Sequence, residues 1–254
     1  MSSYVAFTKK EFLEAYRTWK VLLFCIISVI IGMMNPLFAK LTPEILKSID
    51  MQGISVTIPE PTAMDSWAQF FKNVPQFELI VLVIIFSGIL SNEISKGTLV
   101  NMLTKGLRRS TVILAKMTMA TCIWSVSFFL TFAISYGYTK YYWPDETCEH
   151  IGIASVSLWI FGIFLITCIF LGSVLLKGMV GSLLMTGGAV AVMLLFNIIP
   201  KVSEWNPIML VSSNMKVIQG TIGVDDMIKP VVITCIVGIT FLISSCGLFN
   251  KKMI

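Results

Sequence analysis

Six stretches of the chain are apolar almost without interruption: about 21–39, 77–92, 113–139, 151–176, 179–199 and 230–249. All but the second, which is short, offer about the 20 residues that a helix needs to cross a bilayer. Inside lipid only helices and closed barrels satisfy every backbone N–H and C=O. The runs are continuous rather than alternating, and no strand-turn rhythm of about ten residues accompanies them. The pattern therefore predicts an all-α integral membrane fold with six transmembrane helices. Two longer stretches separate the runs, 40–76 and 200–229. The first is broken by Pro43, Pro59, Pro61 and Pro75. Short interfacial helices are expected there over 43–51 and 62–72, the latter with Trp67, Phe70 and Phe71 on lipid.

Residues 1–20 precede the first run. Phe12, Ala15, Tyr16 and Trp19 recur at i, i+3, i+4 and i+7, with Val5 on the same stripe. Lys10, Glu11, Glu14 and Arg17 lie off it. This spacing predicts an amphipathic helix lying on the inner membrane face.

Composition strengthens the membrane reading. The 254 residues are 56% hydrophobic and 13% charged, where soluble domains carry roughly a quarter charged residues. Lysine and arginine set the orientation. With the N-terminus inside, the inner segments hold twelve basic residues against three acidic ones, and the outer loops seven against eleven. Both termini are thus expected in the cytoplasm, with the chain multi-pass in the plasma membrane. The excess of positive charge, +5 overall, is a topology signal, and no nucleic-acid motif accompanies it. The run 21–39 is longer than a signal-peptide core and lacks a small-x-small cleavage site, so it is expected to stay as a span. Five of the six cysteines fall in apolar runs. Cys148 has no loop partner, so no disulfide framework is expected.

The chain offers little chemistry. Glu78 and Lys116 are placed at span ends, which leaves no ionisable group at central depth. Ion-coupled transporters usually carry such groups, so energy is expected to come from elsewhere. His150 reads as a solvated loop residue. Ser125, Ser127, Thr131, Ser135, Thr167 and Ser173 lack a paired base and are expected to bond helix backbones or neighbouring helices. Gly178, Gly181, Gly187 and Gly188 read as close-packing residues. No Gly-Lys-Ser/Thr phosphate loop is present. Enzymatic activity, metals and bound cofactors are accordingly not expected on this chain.

The segment 93–112 joins spans two and three, and it is polar and basic. Glu93, Gly97, Thr98, Leu99, Leu103, Arg109 and Lys116 follow one another in the order of a motif known from type-2 ATP-binding-cassette (ABC) transporter permeases. There a Glu at the inner end of span two is followed by Gly-Thr, a leucine-bearing stretch, a Pro-x-Ser-Arg-like element and a Lys opening span three. Gly106 stands where that family commonly has Pro, and Arg108 where it has Ser. Trp205, Asn206 and Pro207 after span five also fit. The chain resembles this family over about 25 residues as motif and over its whole length as topology.

The resemblance implies a type-2 ABC exporter fold with a cytoplasmic coupling helix in 93–112. It implies two copies of an ATPase subunit, which would carry the ATP and magnesium, and a second permease chain in a homo- or heterodimer. Glu93, Lys96, Gly97, Thr98, Lys105, Arg108, Arg109 and Lys116 would form the ATPase-coupling surface, in contact with lipid as well. Glu93 is expected to pair with a nearby cation. The small size and short outer loops are similar to bacterial peptide-export and bacteriocin-immunity members, so an amphipathic or antimicrobial peptide is the expected substrate. The alternatives are a non-transporting membrane immunity or sensor protein, and an ABC permease for a lipid-like compound or drug.

Overall fold

The computed structural model describes residues 3–48, 60–95, 97–104, 106–176 and 178–251. Among these residues every regular element is a helix. The first is α1 (Ser3–Arg17), and α2 (Lys20–Ser48) follows it. The bend between them places Trp19 at φ 60°, a left-handed conformation rare for a bulky residue. Next come α3 (Ala63–Asn73), a π-turn (Val74–Glu78) and α4 (Leu79–Ser87), which run on from one another. Two short helices, α5 (Ser91–Ser95) and α6 (Thr98–Thr104), lead into the long α7 (Arg109–Tyr142). Helices α8 (Ile151–Leu175) and α9 (Gly178–Phe196) form the next pair. Three short pieces follow, α10 (Pro200–Ser203), α11 (Met209–Ser212) and α12 (Asn214–Ile218). A 3-10 turn (Val224–Met227) then opens α13 (Ile228–Lys251).

Six of these stretches are long and apolar enough to span a bilayer: Lys20–Ile45, Ala63–Glu93, Arg109–Tyr142, Ile151–Leu175, Gly178–Phe196 and Val224–Lys251. The second differs most from the sequence expectation. Residues 62–72 do not form a separate interfacial helix, because α3 continues through the π-turn into α4. The expected surface helix over 43–51 differs too. Its first part continues α2, and residues 49–51 lie outside the described residues. Trp67, Phe70 and Phe71 are buried rather than lipid-facing. Their rings meet edge to face among themselves and with Phe128 and Phe132 of α7. The signal for one long span is local. The Thr62 backbone N–H donates to Asp65 Oδ2 at 2.9 Å, half of a capping box that starts a helix.

At Pro36 a neighbouring hydroxyl accommodates the proline. Pro36 lies within α2 and lacks the N–H that would bond the Gly32 carbonyl. The Ser135 hydroxyl of α7 donates to that carbonyl at 3.0 Å instead. Gly32 also lets α7 come close, since a Cβ there would lie 2.9 Å from the Ile134 Cβ.

Helix α8 is the buried centre, flanked by α7, α9, α13 and α4. Small residues set the close approaches, as they do where helices pack in lipid. Ser173 and Ser182 share a hydrogen bond of 2.6 Å between α8 and α9. Gly238 of α13 rests on Phe164 and Thr167. Gly187 and Gly188 differ from their close-packing expectation, because the space beside them is open. Along α2, α9 and α13 large apolar side chains such as Ile26, Leu184 and Ile236 face outward, as lipid-facing positions do.

Candidate functional site

Two polar features interrupt the apolar bundle. The first closes the end where α1, α5 and the start of α7 meet. Helix α1 packs against α7 through Phe7, Glu11 and Ala15. Tyr16 and Trp19 of the apolar stripe face outward, as lipid-facing positions do, while Glu11, which lies off the stripe, is buried. Glu11 faces inward because its partner comes from α7: Lys116 Nζ lies 2.7 Å from Glu11 Oε2 and 3.0 Å from Glu93 Oε2. Lys10 Nζ completes the group, 2.9 Å from Glu11, 2.7 Å from Glu14 and 2.8 Å from Glu93. Both ammonium groups also lie near the Phe7 ring face, at 5.2 and 5.9 Å from its centroid. A cleft of about 450 Å³ opens beside the cluster, lined in part by Lys20, Asn92 and Met102.

Glu11, Glu14 and Glu93 bring carboxylate oxygens within 4.8 Å of one another, close enough for a metal ion. The Lys10 ammonium sits among them, bonded to all three, and supplies the positive charge that such a group requires. Burial alone would lower the Lys10 pKa, but the bonds to Glu14, Glu93 and Glu11 outweigh it and hold it above its ordinary value. Burial would raise Glu14, and the bond to Lys10 outweighs that and holds it below the usual carboxylate range.

These shifts set a pH window for α1 docking. The raised Lys10 contributes stability that is fully present below its ordinary value of 10.5 and lost as pH rises through the higher folded value. The depressed Glu14 contributes stability present above its ordinary 4.5 and lost as pH falls through the lower folded value. The apparent melting temperature in detergent should be highest between these limits and fall at both extremes, and Lys10→Met should flatten the alkaline limb.

The expected coupling residues divide. Glu93 and Lys116 meet, so the expected cation partner of Glu93 is Lys116, with Lys10 beside it. The Lys116 side chain is almost fully buried, facing the cluster. Gly97 (φ 68°) and Gly106 (φ 90°) flank α6. That φ explains the glycine at 106, since proline is held near −65°. Thr98 opens α6, and Leu99 is buried. Arg108 is exposed at the start of α7. Arg109 turns to α13, where its Nη1 donates to the Phe249 carbonyl at 3.2 Å. Lys96 and Lys105 lie outside the described residues.

The second feature is a polar column between α2, the α3–α4 helix and α7. Ser66 and Thr139 bond at 2.6 Å. Asn73 Nδ2 donates to Asn35 Oδ1 at 2.9 Å, and Asn35 Nδ2 donates to Ser135 Oγ at 3.1 Å. The next rung is Glu78, which accepts from Ser28 Oγ at 3.0 Å and Thr131 Oγ1 at 3.1 Å. Glu78 is the middle residue of the Ala63–Glu93 span and is fully buried. The sequence expectation of a span-end Glu78, and of no ionisable group at central depth, is therefore overturned. Span two begins far earlier than its strictly apolar part, so the glutamate beside the start of that part stands at the midpoint of the whole span.

A bundle of six bilayer-length helices whose polar groups turn inward defines a multi-pass membrane protein. No family model matches the chain. Over 218 residues it is 24% identical to the uncharacterized transmembrane protein YxlG of Bacillus subtilis (strain 168), an alignment spanning 82% of this chain and 81% of that one.

Proposed function

We propose that this chain is the permease subunit of an ATP-driven ABC exporter, paired with a second permease chain and served by two copies of a separate ATPase. The observation that carries the reading is the contact between Glu93 and Lys116, the two ends of the permease-like motif. Helices α5 and α6 lie between them as a short folded segment, and α1 is pinned to the same ion-paired group. A push on this segment would reach α1 and α7 together, because breaking a buried charge pair is costly. The basic residues around it, Arg108 above all, suit an acidic partner surface. On this reading that end of the bundle faces the cytoplasm, where ATP is available, in keeping with the lysine and arginine distribution.

Two apolar grooves support an apolar or amphipathic cargo, for which we favour a peptide. One, of about 360 Å³, lies among α4, α8 and α9 and includes Leu79, Val83, Phe161 and Val190. The other, of about 530 Å³, lies between α2 and α4 and includes Ile27, Met34 and Phe77. The experiment is purification from the native membrane followed by reconstitution with the ATPase that accompanies the chain. ATPase stimulation and ATP-dependent peptide accumulation in vesicles are expected. Glu93→Lys should reduce both on the order of tenfold or more, since it places a third cation beside Lys10 and Lys116. A chain that retains no ATPase, or a Glu93→Lys variant with full stimulation, rejects the proposal.

A further inference from the structure

Glu78 plays no part in the exporter reading, yet it is the costliest group in the bundle to keep. The charged residues on the elements around it are distant along the helices. Lys20 and Lys40 flank Ser28 on α2 at roughly 12 and 18 Å, and Lys116 and Lys140 flank Thr131 on α7 at roughly 22 and 14 Å, at about 1.5 Å per residue. On its own span the nearest are Lys72, exposed and roughly 9 Å away, and Glu93, roughly 22 Å away at about 1.5 Å per residue, and α8 carries no charged residue. The other titratable groups on α2 and α7 near this depth are Cys25 and Cys122, neither fully buried, and Tyr136 and Tyr138. None of them bonds the carboxyl.

The hydrogen bonds around Glu78 are short of protons. The Ser28 hydroxyl lies within reach of both the Phe24 carbonyl at 2.9 Å and Glu78 Oε1 at 3.0 Å. The Thr131 hydroxyl lies within reach of Glu78 Oε1, the Ser28 carbonyl at 3.3 Å and the Ser127 carbonyl at 3.2 Å. Each hydroxyl has one proton to give. Glu78 Oε2 is buried and has no hydrogen-bond partner. The two hydroxyls also have helix carbonyls to bond, and Glu78 Oε2 has no donor, in a place where an uncompensated charge is expensive. A single small cation removes the deficit.

We propose that Glu78, Ser28 and Thr131 form an intramembrane site for one small monovalent cation, a proton or a sodium ion, exchanged with the aqueous phase. The route is built into the same helix. Glu78 closes the π-turn that Val74 and Pro75 open, and such turns often lie at functional sites. Gln76 and Phe77 of that turn line the groove of about 530 Å³ against α2, so a small rearrangement of the turn opens the carboxyl to it. This inference does not depend on the exporter reading, and its test uses no nucleotide.

The test is labelling of the full chain in phosphatidylglycerol–phosphatidylethanolamine vesicles with dicyclohexylcarbodiimide, an apolar reagent that adds whole to a protonated carboxylic acid. Mass spectrometry of the peptide carrying Glu78 reads the result, and Glu78→Gln must abolish it. If the ion is a proton, labelling falls several-fold as pH rises and is the same in sodium and choline chloride. If it is sodium, labelling at fixed pH and ionic strength falls several-fold when sodium replaces choline, and Thr131→Val weakens that protection. Either outcome supports the site. No labelling at any pH, or labelling indifferent to both pH and sodium, overturns it and leaves Glu78 a structural hydrogen-bond acceptor.

Discussion

Lys116→Ala is expected to cost about 3–5 kcal/mol, the range for removing one member of a buried ion pair. The Lys116 side chain is 1% exposed and that of Glu11 is 2% exposed, so water cannot replace the lost ammonium. Glu11 Oε2 and Glu93 Oε2 would both lose a cation, and Lys10 alone would face three carboxylates. The apparent melting temperature in detergent should fall steeply, and Ala15→Cys on α1 should become open to thiol reagents. The double variant Lys116→Met with Glu11→Leu should recover most of the loss, because an apolar pair of similar volume needs no charge partner. A single Lys116→Ala variant within about 1 kcal/mol of the parent, as for a surface pair, would contradict the assigned burial of the cluster.

The second large effect is expected at Gly162. Trp124 of α7 lies against this glycine, and any Cβ there would collide with the indole. The indole has no room to move. It is fully buried, its ring lies 5.2 Å from that of Phe128 and 6.4 Å from that of Phe24, and its Nε1 donates to the Trp159 carbonyl at 3.0 Å. Trp159 reciprocates through its own Nε1, which donates to Ser125 Oγ at 3.0 Å. Gly162→Val must separate α7 from α8 or break this exchange, at a cost of about 3 kcal/mol, the upper part of the overpacking range. Gly187→Ala on α9 is the control. Nothing lies within 4 Å of its added Cβ, and its melting temperature should stay within the scatter of the parent. Tryptophan fluorescence in detergent follows both variants, and an unchanged Gly162→Val spectrum and stability would refute the packing argument.

The ion cluster joins α1, α5 and α7, and the polar column joins α2, the α3–α4 helix and α7, so α7 carries both. These contacts reach only a few residues on each helix, while among the described residues long apolar faces of α2, α9 and α13 are exposed. Hydrophobic matching gives helices little preference for one another over lipid. Hydrogen bonds and close approaches at Gly32, Gly162 and Gly172 therefore select which helices pair.

Much of the site was legible in the linear pattern, and the reasons for the remainder are specific. Glu93, Gly97, Arg109 and Lys116 stand out because their order resembles the permease motif, and the expectation of a cation beside Glu93 comes with that resemblance. Glu11 and Lys10 do not stand out. They fall off the apolar stripe of α1, and the partner that buries Glu11 lies 105 residues away on α7. Asn35, Asn73 and Ser28 are equally silent, because a polar side chain in a span bonds inward only once the facing helix is known.

By itself the sequence determined that the chain lives in lipid as helices, since runs of bilayer length admit no other way to satisfy the backbone. It also placed the basic motif between the second and third apolar runs. Only the tertiary structure decided that Glu78 stands at the middle of a span and that Glu11 is a buried ion-pair partner. Periodicity along one helix marks a face, but the charge or hydroxyl that meets that face belongs to another helix, and burial is settled between the two.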